Sequence, residues 1–127
     1  MEAAIAIIFN EDDEVLLLKR VSPQISYPGL WGFPGGKRDG DESFEDCAIR
    51  ETKEEANLEV TNLKYVGTEP RPIGSFGFVW VYTSRSFYGD VKLDFEHTDY
   101  EWVTRENLSN YNIIPGSEEL IERARHL

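Results

Sequence analysis

Cysteine is nearly absent: Cys47 stands alone, so neither an intrachain disulfide nor a multi-cysteine zinc site can form within the chain. The thiol is expected to pack as a small apolar side chain. Positive charge is also scarce. Thirteen Lys and Arg face 24 Asp and Glu, for a formal net charge of −11, and no basic run offsets them, which excludes a general binder of nucleic-acid polymers. So acidic a chain is equally ill suited to hold a polyphosphate unless metal ions carry the phosphate contacts. No apolar run approaches the roughly 20 residues of a membrane span. The N-terminal MEAAIAIIFN has an acid at position 2 and no basic flank, unlike a secretory signal. A soluble cytoplasmic protein with no membrane partner is the expectation. Internal repeats, low-complexity tracts and interdomain linkers are missing too, so the 127 residues are read as one domain, 1–127. Hydrophobic residues at 40% and aromatics at 13% supply a packed core rather than a disordered chain.

The apolar runs Ala3 to Phe9 and Val15 to Leu18 flank the polar Asn10 to Glu14, which reads as a strand hairpin. From Val21 to Gly32 the composition shifts to Ser, Pro, Gln, Tyr and Gly, a surface loop. Further strands are expected over Glu59 to Gly67, Gly77 to Tyr82 and Tyr100 to Val103, the first two separated by Glu69 to Ser75 with its two prolines and glycine. After Pro115-Gly116, Ser117 is read as an N-cap, with a terminal helix over Glu118 to His126 that carries acids early and Arg123 and Arg125 late. The simplest assembly is an α/β domain in which two main helices cover one mixed sheet.

The segment Gly36 to Leu58, GKRDGDESFEDCAIRETKEEANL, holds the chemistry. Ser43 with Asp46 three residues on is a capping-box variant, so a helix starts near Phe44. It stops near Ala56, because Asn57 accepts the left-handed conformation that ends helices. Residues three and four apart on a helix are neighbours, so Glu51, Glu54 and Glu55 converge, and converging like charges call for something positive between them. At about 100° per residue, Cys47, Ala48, Ile49, Thr52 and Ala56 form a buried arc. Glu55 falls inside that arc and Glu51 at its edge, whereas a solvated acidic face would lie opposite, with Asp46, Arg50 and Lys53. Acids that intrude on an apolar stripe break binary patterning, as functional sites do. A divalent cation is the expected partner.

The segment resembles the Nudix box: Gly36, Glu42, Arg50, Glu51, Glu54, Glu55 and Leu58 match that pattern at the required spacing. Thr52 replaces the usual aliphatic residue and Asn57 the usual glycine, and neither change removes a chemical group. Trp31 to Lys37, WGFPGGK, looks like the lead-in of MutT-type members. The resemblance implies the Nudix fold, an α/β/α sandwich around a central mixed sheet. It also implies a pyrophosphohydrolase that uses Mg²⁺, for which Mn²⁺ can substitute. The metal ligands it implies are the Gly35 carbonyl, Glu51, Glu54 and Glu55, with Glu51 also the leading base, Glu55 part of the catalytic set and Arg50 holding Glu51. Glu42 belongs to the box, and an interaction with the helix start competes with a metal role for it.

Glu96 precedes Trp102 by the spacing of an extra metal-binding glutamate in MutT-type members, which makes it a fourth candidate ligand. His97 beside it reads as a solvated loop histidine. Arg20 sits where related enzymes contact a phosphate. Phe33 is a candidate wall of a base pocket, with Phe76, Phe78 or Trp80 across from it, although an alternating aromatic stripe is more often core. Ser117 takes the place of an asparagine that reads oxidised guanine in MutT-type enzymes, which argues against strong oxidised-guanine specificity. The preferred substrate is a nucleoside triphosphate, cleaved to a monophosphate and pyrophosphate by a monomer or homodimer. The runner-up is ADP-ribose or another nucleotide sugar, for which Pro72 lies near the expected proline. A noncatalytic nucleotide-binding module is disfavoured because every acid of the box core is kept. A calcium-binding acidic domain lacks the ligand pattern of a calcium loop.

Overall fold

The computed structural model describes residues 2–21, 29–70 and 77–127. Most of the expected 21–32 loop, most of the Glu69 to Ser75 separator, Pro72 and Phe76 lie outside the described residues. Strands β1 (Ala3–Ile8) and β2 (Val15–Arg20) occupy the expected runs but do not form the expected hairpin: they pair in different sheets and are bridged only at Phe9–Val15, because each finds its partners on more distant strands. Their turn is closed by the Asn10 side chain, whose Oδ1 accepts from the Asp12 and Glu14 N–H groups at 3.0 and 2.9 Å.

The strands that follow are β3 (Trp31–Gly32), β4 (Gly35–Lys37), β5 (Glu59–Thr61), β6 (Lys64–Pro70), β7 (Phe78–Ser84), β8 (Ser86–Tyr88) and β9 (His97–Val103). A mixed sheet runs β4-β1-β7-β6, with β1 parallel to β7 and the other pairs antiparallel. Beside it lie an antiparallel sheet β3-β2-β9 and the two-stranded β5-β8. Helices α1 (Phe44–Ala56) and α2 (Ser117–Arg125) cover opposite sides. Because successive strand residues face opposite ways, β1 and β2 feed both cores. Ala4, Ala6, Ile8, Leu16 and Leu18 pack with Cys47, Ala48 and Ala56 of α1, while Ile7, Val15 and Leu17 pack with Ile121 and Ala124 of α2. Burial on both faces is why these strands read as continuous apolar runs.

Three further expectations are corrected. The strand expected over 59–67 is divided into β5 and β6 by Asn62, which turns the chain at φ 53, a conformation that asparagine tolerates. The strand expected to start at Tyr100 starts at His97. Ser117 is not an N-cap: Gly116 holds that position at φ 89, and Ser117 is the first residue of α2, buried. The short strands β3, β4 and β8 have too few residues to show a period. Among the described residues, no helix is long and apolar enough to cross a membrane.

Candidate active site

Helix α1 is set by local signals at both ends. Ser43 Oγ accepts the Asp46 N–H at 3.0 Å, and Asn57, at φ 62, donates its N–H to the Lys53 carbonyl. Between these caps, Thr52 is buried and satisfies its hydroxyl on the Ala48 carbonyl at 2.7 Å, so an apolar register is kept where an aliphatic residue is usual. The same register carries Glu55 inward to only 5% exposure.

Arg50 is the positive group between the acids of the outer face. Its Nε and Nη2 grip both oxygens of Glu42 at 3.1 and 2.8 Å, and Nη1 bridges Glu51 at 2.9 Å and Glu54 at 3.0 Å. Arg50 is thus half-buried and tied into a carboxylate network rather than part of a solvated face with Asp46 and Lys53. Glu42 serves as its anchor. The Arg50 guanidinium and the Asp39 N–H hold the Glu42 carboxyl down to about 2.

Glu55 points the other way, towards β4, where its Oε1 accepts the Gly35 N–H at 3.0 Å. Burial pushes the Glu55 carboxyl up to about 9; the Gly35 bond opposes this, and the charges of Glu51, Asp94 and Glu96 add to it. Glu51 is raised by burial as well, against the pull of Arg50. Carboxylate oxygens of Glu55, Asp94 and Glu96 lie within 4.8 Å of one another. This donor set fits a hard divalent cation: it is all oxygen, it is crowded with like charge, and one member is buried at the cost of its ionisation.

Glycine is required where β4 meets the helix. A Cβ on Gly36 would come 2.6 Å from the Glu51 carboxyl carbon, and one on Gly35 would overlap the Ala4 carbonyl. Both glycines also line a cavity of about 350 Å³ that includes Arg20, Phe33, Val79, Val81 and Ser117. The cavity therefore shares an edge with the acids. Of the aromatic candidates across from Phe33, the described ones do not line the cavity: Val79 and Val81 face it, whereas Trp80 stacks on Phe44 of α1 at 3.8 Å and Phe78 lies against Trp80.

Arg20, Phe33, Gly35 and Ser117 are thus brought to one cavity, and Glu51 and Glu55 to its rim. Glu54 stays exposed beside Arg50, and Glu96 joins Glu55 from the loop before β9. Sequence reasoning missed Asp94, although its alternation with Glu96 was the available signal, and misread His97. That histidine is buried in β9 with Nδ1 2.9 Å from Asp94 Oδ1.

The model of the NUDIX domain family matches residues 1–124. CTP pyrophosphohydrolase of Escherichia coli is 31% identical over 123 residues, which span 96% of this chain and 90% of that protein. A MutT protein of Methanosarcina mazei superposes with a TM-score of 0.87 at 28% identity, covering 99% of this chain and 93% of that one. The NUDIX domain of Shewanella oneidensis NrtR, complexed with ADP ribose, gives a TM-score of 0.83 at 25% identity over 99% and 86%.

Proposed function

Because the chain belongs to the NUDIX domain family, whose named relatives hydrolyse phosphoric anhydride bonds, we propose that it is a Mg²⁺-dependent pyrophosphohydrolase converting a nucleoside triphosphate to the monophosphate and pyrophosphate. The observation that carries this reading is the edge shared by cavity and acids: Gly35 and Gly36 line the one and contact Glu55 and Glu51 of the other. A nucleoside seated in the cavity thereby directs its phosphates across the glycine pair.

Glu51, Glu54, Glu55, Glu96 and the Gly35 carbonyl are the groups that would hold the metal. A bound Mg²⁺, or Mn²⁺ in its place, supplies charge neutralisation on phosphate oxygens and acidifies a coordinated water. Glu51 accepts the proton of the attacking water, and Arg50 fixes its carboxylate through the Nη1 contact at 2.9 Å. Arg20, at the end of β2 and on the cavity wall, meets the outer phosphate. Phe33 walls the base, and the Ser117 hydroxyl faces its polar edge.

ADP-ribose is the second reading, favoured by the likeness to a NUDIX domain complexed with ADP ribose. A product assay with Mg²⁺ across nucleoside triphosphates and ADP-ribose separates the two. Pyrophosphate released from triphosphates supports the first reading, and cleavage of ADP-ribose alone replaces it with the second. Binding of both without turnover leaves only a noncatalytic module.

A further inference from the structure

We propose that Asp94 is a further carboxylate ligand of the cation site and that His97 is its positioning residue. The inference rests on the reading that the acids of α1 gather a divalent cation, and it adds two residues outside the box.

The loop before β9 is clipped to the end of α1 by its backbone. Lys92 N–H donates to the Ala56 carbonyl at 3.0 Å and Asp94 N–H to the Glu55 carbonyl at 3.3 Å, carbonyls that a helix end leaves unpaired. Asp94 is thereby carried beside Glu55, and its carboxylate joins the trio. Two donors then converge on one oxygen: Asp94 Oδ1 accepts the Glu96 N–H at 3.2 Å and lies 2.9 Å from His97 Nδ1. A carboxylate only accepts, so Nδ1 carries the proton. With Oδ1 occupied twice, Oδ2 is the oxygen left for a cation.

The His97 ring is held for this one contact. Its side chain is 2% exposed, and Nε2 is buried without a hydrogen-bond partner among the described residues. A buried polar atom with no partner costs stability, a cost that an apolar side chain of similar volume avoids. What the imidazole supplies in return is a donor aimed at Asp94. The strand fixes the ring in place, because His97 pairs in register with Arg20 and the neighbouring Glu96 carbonyl accepts the Val21 N–H at 2.9 Å. Outer partners of this kind orient metal ligands.

The test is Mn²⁺ affinity by titration calorimetry on the full chain, with thermal unfolding in EDTA as the control. Asp94→Asn weakens Mn²⁺ binding by about tenfold or more, and His97→Leu by about 10- to 100-fold. His97→Asn puts an amide donor near the place of Nδ1 and restores most of the lost affinity. Stability in EDTA follows the opposite order, with leucine at or above asparagine, so a merely space-filling role for His97 cannot produce both rankings. Should leucine fail to fold, His97→Met gives the same comparison. Wild-type affinity in Asp94→Asn overturns the ligand assignment, and wild-type affinity in folded His97→Leu or His97→Met overturns the positioning role. A wild-type chain that takes up no Mn²⁺ overturns the metal reading itself, and this inference with it.

Discussion

Gly35 and Glu55, 20 positions apart in the chain, meet through one hydrogen bond in which the glycine N–H donates to Glu55 Oε1 at 3.0 Å. That bond is made to a carboxyl that burial holds at about 9, so at neutral pH the helix acid reaches the strand largely in its neutral form.

A pH dependence follows for the metal-free protein. The folded carboxyl of Glu55 titrates near 9 against an ordinary 4.5, so the folded state binds the proton more tightly than the unfolded chain does. Its contribution is fully present below about 4.5 and is lost as pH rises through about 9. Melting temperatures in EDTA should decline across that window, and Glu55→Gln should flatten this component. Saturating Mn²⁺ should flatten it too, by displacing the proton. An unchanged slope in Glu55→Gln would assign the decline to another group.

Removing charge from the box acids separates catalysis from folding. Glu51→Gln should lower kcat by about 10²- to 10⁴-fold if Glu51 is the base, with a far-ultraviolet spectrum like that of the wild type. Glu55→Gln should also lose orders of magnitude in kcat while melting no lower than the parent at pH 8, because a group costly to ionise is gone. Near-normal turnover by Glu51→Gln would remove it from the chemistry.

The two glycines should fail differently. In Gly36→Ala the new methyl meets the end of a side chain, the Glu51 carboxyl carbon at 2.6 Å, which can swing away. Activity should collapse with little loss of stability. Gly35→Ala meets backbone, with Ile5 Cα at 2.8 Å, and should cost about 1–3 kcal/mol. Denaturant titrations beside kcat measurements distinguish these outcomes, and equal destabilisation by both would refute the difference.

Arg50→Lys keeps the charge but not the fork. Glu42, Glu51 and Glu54 then compete for a single ammonium, and stability should fall by about 1–3 kcal/mol. KM should change less than kcat, since the loss is in the orientation of Glu51. A lysine variant with full kcat would show that Glu51 needs no tether.

Ser117 sets the last expectation. A hydroxyl offers a less directional donor and acceptor pair than an amide, so kcat/KM for 8-oxo-dGTP over dGTP should stay below about a thousandfold. A larger ratio would mean that another cavity residue reads the base.

Helix α1 was legible from sequence because its determinants are local: Ser43 and Asn57 sit within one turn of the groups they cap. The inward placement of Glu55 followed from helical period alone. Features that depend on distant chain were not legible. Ser117 looked like a cap because serine prefers that position, but Gly116 can take φ 89, which frees Ser117 to be buried against the cavity. Alternation along β7 gave two faces without saying which one met α1, so Trp80 was a candidate for the cavity wall that Val79 in fact lines. Asp94 was passed over and His97 was read as a solvated loop histidine because nothing local reveals that Ala56 and Glu55 offer carbonyls to their loop.

The clip between that loop and the end of α1 also orders events during synthesis. A nascent chain that has emerged only as far as β8 already holds every residue of the box and both caps of its helix, yet it lacks Asp94 and Glu96. On the proposed cation site, catalytic competence is therefore withheld until the ninth strand is available, and recovery of turnover during refolding should report long-range closure rather than helix formation.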